Sequence, residues 1–181
     1  MATVLVPLAH GCEELEAVTI IDLLRRAGVT VTVAGLEAGP VTASRGVVLL
    51  PETTLDAVLD QDFDLVVLPG GLGGAQRLEA DRRIAALLRR MTEQGRYVAA
   101  ICAAPKVLVS AGLVEGREVT AYPGVLDGQV NIRLSSAAVV RDGTFITSRG
   151  PGTALDFALT LIETLCGRET RDTVEAALQR S

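Results

Sequence analysis

The chain has 181 residues, 49% of them hydrophobic, with 17 basic side chains against 22 acidic ones and a net charge of −5. That length suits one domain over residues 1–181, able to bury about 70% of its unfolded surface without disulfides or metal. The acidic balance, with three Phe, two Tyr and no Trp, argues against a nucleic-acid partner, and no apolar run reaches the roughly 18 residues of a membrane span.

The opening "MATVLVPLAHG" reads as a β-strand; it has neither the basic start nor the long apolar stretch of a signal peptide, so a soluble cytosolic protein is expected. "EELEAVTIIDLLRRAG" follows with helical periodicity, then "VTVTVAG" as a second strand. "VTASRGVVLLP" is β-rich. "DLVVLPGG" is a buried strand running into Gly70-Gly71, "RRIAALLRRMTEQG" a helix, "YVAAIC" a strand, and "AAPKVLVSAG" a helix entered at Pro105. "AAVVRDGTFITSRG" carries Asp142-Gly143, a strong hairpin signal. "GPGTALDFALTLIETLCG" closes the fold with a helix ended by Gly167. Strands apolar on both faces, alternating with helices, predict an α/β protein with a mostly parallel sheet sandwiched between helices. The two β-rich stretches make part of that sheet antiparallel.

In such sheets, ligands gather at the carboxyl ends of the strands. Cys102 stands at the joint between strand and helix, flanked at two residues' distance by the small Ala100 and Ala104, as an elbow carrying an outward-pointing nucleophile requires. A buried structural cysteine is the plain alternative. The free N–H groups and dipole of the helix are expected to lower the thiol pKa. Glu13 and Glu14 read as solvated first-turn acids. Glu16 differs, because steps of three and four from it meet Ile20, Leu23, Leu24 and Ala27, which turns it toward the buried face. An acid there is expected to stay protonated and to donate a hydrogen bond to a nearby anion such as a Cys102 thiolate. Gly70 and Gly71 permit a tight turn, and beside an elbow nucleophile they also let backbone N–H groups approach an oxyanion, with the Ala103 N–H as second donor.

Three cysteines without a C-x-x-C spacing argue against a disulfide framework or a thiolate metal site, and the single histidine, His10, against a histidine-rich one. His10 reads as a loop residue or as a base near the site. Cys12 reads as a helix-start thiol or as a resolving partner for Cys102. Cys166 reads as core.

At "GCEELEAV", "VVLPGG", "AAICAAP" and "TSRGPGTALDFAL" the chain resembles the ThiJ/PfpI superfamily, in its parkinsonism-associated deglycase (DJ-one-like) branch, from Thr3 to about Gly167. The resemblance implies a flavodoxin-like sandwich, a homodimer, and a reactive cysteine paired with a protonated glutamate. By the matching motifs these are Cys102 and Glu16, with Gly70 and Gly71 as oxyanion glycines. It further suggests that Arg26 and Arg45 approach the site from the subunit contact. Members reported as proteases carry a histidine directly after the cysteine; here that residue is Ala103, which disfavours proteolysis. Tyr122 stands where a histidine is common, as packing or as a donor, and Ala104 where glycine is commoner.

The expected function is a cofactor-free, metal-free, cysteine-dependent glyoxalase or protein deglycase acting on methylglyoxal, glyoxal or glycated protein. The rival is a redox sensor or holdase chaperone built on an oxidisable Cys102, and a third reading is a small-substrate amidase.

Overall fold

The computed structural model describes residues 1–180. In chain order the elements are β1 (Thr3–Leu8), α1 (Glu14–Arg26), β2 (Thr30–Gly35), β3 (Val41–Thr42), β4 (Val48–Leu49), β5 (Thr53–Thr54), β6 (Leu65–Leu68), α2 (Leu72–Ala80), α3 (Arg82–Glu93), β7 (Tyr97–Ile101), α4 (Pro105–Ser110), β8 (Glu118–Val119), β9 (Arg133–Leu134), β10 (Val139–Asp142), β11 (Phe145–Ser148), α5 (Ala154–Cys166) and α6 (Arg168–Ala177).

Seven strands form the central sheet in the order β10-β11-β7-β6-β1-β2-β5. Every neighbouring pair is parallel except β10 with β11, the hairpin that Asp142-Gly143 announces. Alternation along the strands explains why they read as continuous apolar runs. Val4, Val6 and Leu8 of β1, Leu65 and Val67 of β6, and Ala99 and Ile101 of β7 join the core beneath α1 and α5. The intervening Leu5, Val66, Leu68, Val98 and Ala100 face the opposite core, with Leu78 of α2, Leu87 and Leu88 of α3, and Leu108 of α4. A strand covered on both faces needs no polar alternation. In α1, Ile20, Leu23 and Leu24 recur on the buried face, and each such side chain contributes roughly 1.5–3 kcal/mol by leaving water.

Three features depart from the expectation. "VTASRGVVLLP" does not enter the main sheet: β3 and β4 pair antiparallel as a separate two-stranded ladder. Two helices escape the periodicity reading, α2 because Gly73 and Gly74 weaken its helical signal, and α6, which follows Gly167 at once and packs on α5 through Val174. β8 and β9 form a further short parallel pair. No helix among the described residues is long and apolar enough to cross a membrane.

Because β6 lies between β1 and β7, the loops after these three strands share one sheet edge. The β1 loop leads into α1 and Glu16, the β6 loop carries Gly70 and Gly71, and the β7 turn carries Cys102.

Candidate active site

Cys102 has φ of 63°, the left-handed region that a side chain makes costly by about 1–3 kcal/mol. Its surroundings hold it there. The Cys102 N–H donates to the Ser148 carbonyl at 3.0 Å, and its own carbonyl accepts from the Tyr122 N–H at 2.9 Å. The turn continues through buried Ala103 and Ala104, so α4 begins only at Pro105 and runs six residues. Cys102 therefore precedes the helix, and a helix of that length supplies little dipole.

Glu16 leaves the first turn of α1 with its side chain fully buried, at 0% exposure. Its Oε2 accepts from the Gly70 N–H at 2.8 Å, while Oε1 is buried without a hydrogen-bond partner among the described residues. Gly70 makes this approach possible: a Cβ there would stand 2.5 Å from the Cys102 Cβ and 2.6 Å from Glu16 Oε2. The next residue, Gly71, has φ of 82°, and its N–H, with that of Ala103, pulls the Cys102 thiol pKa down. The structure thus brings Glu16, Gly70, Gly71, Cys102 and Ala103 together.

The electrostatics separate two expectations. Burial pushes the Glu16 carboxyl up to about 7, against the pull of the Gly70 N–H and the Cys102 thiol, in the direction of a protonated acid. The Cys102 thiol, expected to be lowered, is pushed the other way. Burial is the larger cause and a charge on Glu16 the next, reaching about 12, with the Gly71 and Ala103 amides opposing. The charge disappears when Glu16 holds the proton. An ionised Glu16 would leave Oε1 charged and buried with no hydrogen-bond partner among the described residues. Glu16 and Cys102 therefore titrate as a coupled pair, with the acid raised into the neutral range and the thiol pushed higher still.

Cys102 is 8% exposed, at the floor of a cleft of about 610 Å³ lined by Gly11, Ser44, Arg45, Gly71, Tyr122 and Pro151, among others. Arg45 and Tyr122 reach this cleft; Arg26 does not. It lies ten residues beyond Glu16, about 15 Å along the helix, and its Nε pairs with Asp22 at 2.8 Å. His10 lines a different cavity, and its Nδ1 accepts from the Thr42 N–H at 3.0 Å, which anchors β3 and leaves no base for the thiol. Cys12 is buried; burial and Glu14 push its thiol up to about 11, the wrong direction for a resolving nucleophile. Cys166 is partly buried against the core.

Glu13 and Glu14 are not simply solvated. Glu13 caps α1, its Oε2 accepting from the Glu16 N–H at 2.8 Å. Glu14 is buried and faces the turn between β3 and β4. Sequence reasoning missed Glu14 and Ser44, whose partners lie some 30 residues apart.

The family model described as DJ-1/PfpI matches residues 2–164. The chain is 48% identical over 168 residues to protein dj-1beta of Drosophila melanogaster, covering 91% of this chain and 90% of that one. The crystal structure of that fly protein superposes with a TM-score of 0.96, covering 99% and 98% of the two chains at 45% identity. Oxidized DJ-1 of Toxoplasma gondii also superposes at 0.96, with 39% identity and full coverage of both chains. The deglycase PH1704 of Pyrococcus horikoshii is 35% identical over 145 residues, 79% of this chain and 87% of its own. The chain belongs to the DJ-1/PfpI family.

Proposed function

We propose that this DJ-1/PfpI family member is a cysteine-dependent, cofactor-free glyoxalase and protein deglycase. The observation that carries the reading is the buried contact of Glu16 with Gly70 and Cys102 beside a cleft that reaches solvent, with the acid raised to about 7. The relationship to a protein named as a deglycase supports the same reaction class.

In the proposed reaction the Cys102 sulfur adds to the aldehyde carbon of methylglyoxal, an S–C bond forms, and a proton reaches the former carbonyl oxygen. Glu16 provides that proton, and the Gly71 and Ala103 N–H groups hold the oxygen while it is negative. The Glu16 carboxylate then removes the C1 proton and returns one to C2, so the aldehyde carbon is oxidised as the neighbouring ketone is reduced. Water hydrolyses the resulting thioester to the hydroxy acid and regenerates the thiol. A carboxyl held near neutrality suits both halves of this transfer.

The test is glutathione-free methylglyoxal turnover by wild type and Cys102→Ser; equal rates in the two would defeat the proposal.

A second reading, a redox sensor in which Cys102 is oxidised to a sulfinate accepting a hydrogen bond from Glu16, is favoured by the oxidized state of the Toxoplasma gondii relative. Graded peroxide followed by mass spectrometry separates the readings: selective Cys102 sulfinate without aldehyde turnover supports the sensor.

The same proposal includes a single cytoplasmic domain acting as a homodimer. Leu15 and Val18, three residues apart on α1, are exposed, as are Val47, Val48 and Leu50 of the adjoining hairpin segment. Apolar surface of this kind suits a second copy of the chain. Sedimentation at twice the 18.9 kDa mass is the expected result, and a monomer at micromolar concentration would remove the claim.

A further inference from the structure

The rim of the Cys102 cleft is held in place by Glu14. Its Oε2 accepts from Ser44 Oγ at 2.9 Å, and its Oε1 accepts from the Arg45 N–H at 2.8 Å and, more loosely, from the Val47 N–H at 3.4 Å. The backbone reinforces this attachment: the Ser44 N–H donates to the Cys12 carbonyl at 2.8 Å, and the Gly11 N–H to the Thr42 carbonyl at 2.8 Å. Burial alone would raise the Glu14 carboxyl, but donors from its own amide, Ser44, Arg45 and Val47 outweigh it and hold the group below the ordinary carboxylate range. Glu14 is thus a fixed anion whose oxygens are occupied by the turn. It does not line the cleft, whereas Ser44 and Arg45 do. The Arg45 side chain is exposed and enters no ion pair with a described residue. Within one chain its guanidinium thus has no ion-pair partner, in a cleft that Glu13 also lines, and the planar fork of N–H donors matches a carboxylate.

We infer that Glu14 is a positioning residue for the active site: by binding the turn 44–47 it keeps the Arg45 guanidinium at the mouth of the Cys102 cleft, where it selects carbonyl substrates that carry a carboxylate. The carbonyl chemistry rests on the proposed function, whose methylglyoxal and glyoxal carry no carboxylate, so the selectivity extends that reading to carbonyl acids; the positioning does not depend on it. The sign of the effect distinguishes it from simple electrostatics. Removing a negative charge near the thiol should by itself make the site more attractive to anions. Releasing Arg45 should make it less so.

Alkylation of Cys102 reads this directly, because iodoacetate and iodoacetamide both lose iodide to the same sulfur and differ mainly in charge. Glu14→Gln keeps the side-chain volume, and Ser44→Ala removes one donor while leaving the charge, so the latter stands in should the former not fold. Arg45→Ala is expected to lower the iodoacetate-to-iodoacetamide rate ratio by about threefold, the scale of one exposed charge interaction. Glu14→Gln should lower it in the same direction, and on the Arg45→Ala background should lower it no further, leaving only the small rise that loss of a nearby negative charge produces. Ser44→Ala should fall between wild type and Arg45→Ala. A ratio that is unchanged or raised in Glu14→Gln, or unchanged in Ser44→Ala where only that variant folds, overturns the inference; an unchanged ratio in Arg45→Ala overturns the anion role as well. Absence of methylglyoxal turnover in a wild type that shows the expected ratios would defeat the proposed function and leave Glu14 as assigned.

Discussion

Two glutamates in the first turn of α1, Glu14 and Glu16, are both buried, yet their surroundings give them opposite properties. Glu14 meets a turn that offers a hydroxyl and backbone N–H groups, so its charge is solvated by the protein and its pKa falls. Glu16 meets one N–H, has an oxygen with no partner, and sits against a thiol, so burial prevails and its pKa rises to about 7. Burial alone does not decide whether an acid keeps its proton. The supply of donors does.

The largest expected effects lie in turnover. Cys102→Ser should lose about 10³ or more of the rate, and Glu16→Gln about 10²–10⁴, the range of a lost general acid–base group. Glu14→Gln should lose far less of kcat than Glu16→Gln, because it touches no reacting atom. Equal losses in the two glutamate variants would erase the distinction between reacting and positioning acids.

Stability against pH should show opposite signs. The Glu16 pKa is raised from 4.5 to about 7, so the native state holds the proton more tightly than the unfolded chain. Its destabilising effect is absent below 4.5, grows between 4.5 and about 7, and is complete above. Glu16→Gln, which carries no charge at any pH, should therefore gain stability relative to wild type at pH 8 and lose that advantage at pH 4. Glu14, with its pKa lowered, contributes stability present above 4.5 that is lost as pH falls through its native value. Glu14→Gln should therefore be destabilising at pH 7 and less so in acid. Urea denaturation at pH 4, 7 and 8 checks both signs.

Gly70→Ala tests the close approach on which the Glu16 side of the comparison depends. Its new Cβ, 2.5 Å from the Cys102 Cβ, should cost about 1–3 kcal/mol through overpacking and displace the thiol from its acid. Wild-type stability with unaltered alkylation would show that the contact is looser than described.

The smallest effect is the most diagnostic. Glu16→Leu retains burial and removes the donor, so the Cys102 pKa, followed by alkylation rate against pH, should rise by about one unit. A fall would show that Glu16 was ionised and that the proton rests on sulfur.

Sequence periodicity exposed most of this arrangement. The strand-to-helix joint at Cys102 and the i, i+4 relation of Glu16 to Ile20 are local, and local patterns survive folding. The Glu14 contact was illegible because its donors sit in a turn some 30 residues away, and a first-turn glutamate has the same local pattern whether or not a loop covers it. The direction of the Cys102 shift was missed for a related reason: dipole and amides are visible at the elbow, whereas the desolvation that outweighs them comes from the whole tertiary enclosure. α2 was hidden because glycines that lower helix propensity are tolerated where the helix packs tightly against the β1 loop. Resemblance brings Arg26 to the site only across a subunit contact; within this chain α1 carries it away from the Cys102 cleft.

The position of β6 between β1 and β7 also has a kinetic consequence. Glu16 and Gly70 are 54 residues apart in sequence, so their contact forms only after a large loop has closed and the middle strand has been zipped in, a slow, non-local event. Until then Cys102 is an ordinary exposed thiol on a partly made chain, without its acid or its amide donors. We expect the onset of its native alkylation rate during refolding to coincide with completion of the sheet, which makes the thiol a built-in clock for the last stage of folding.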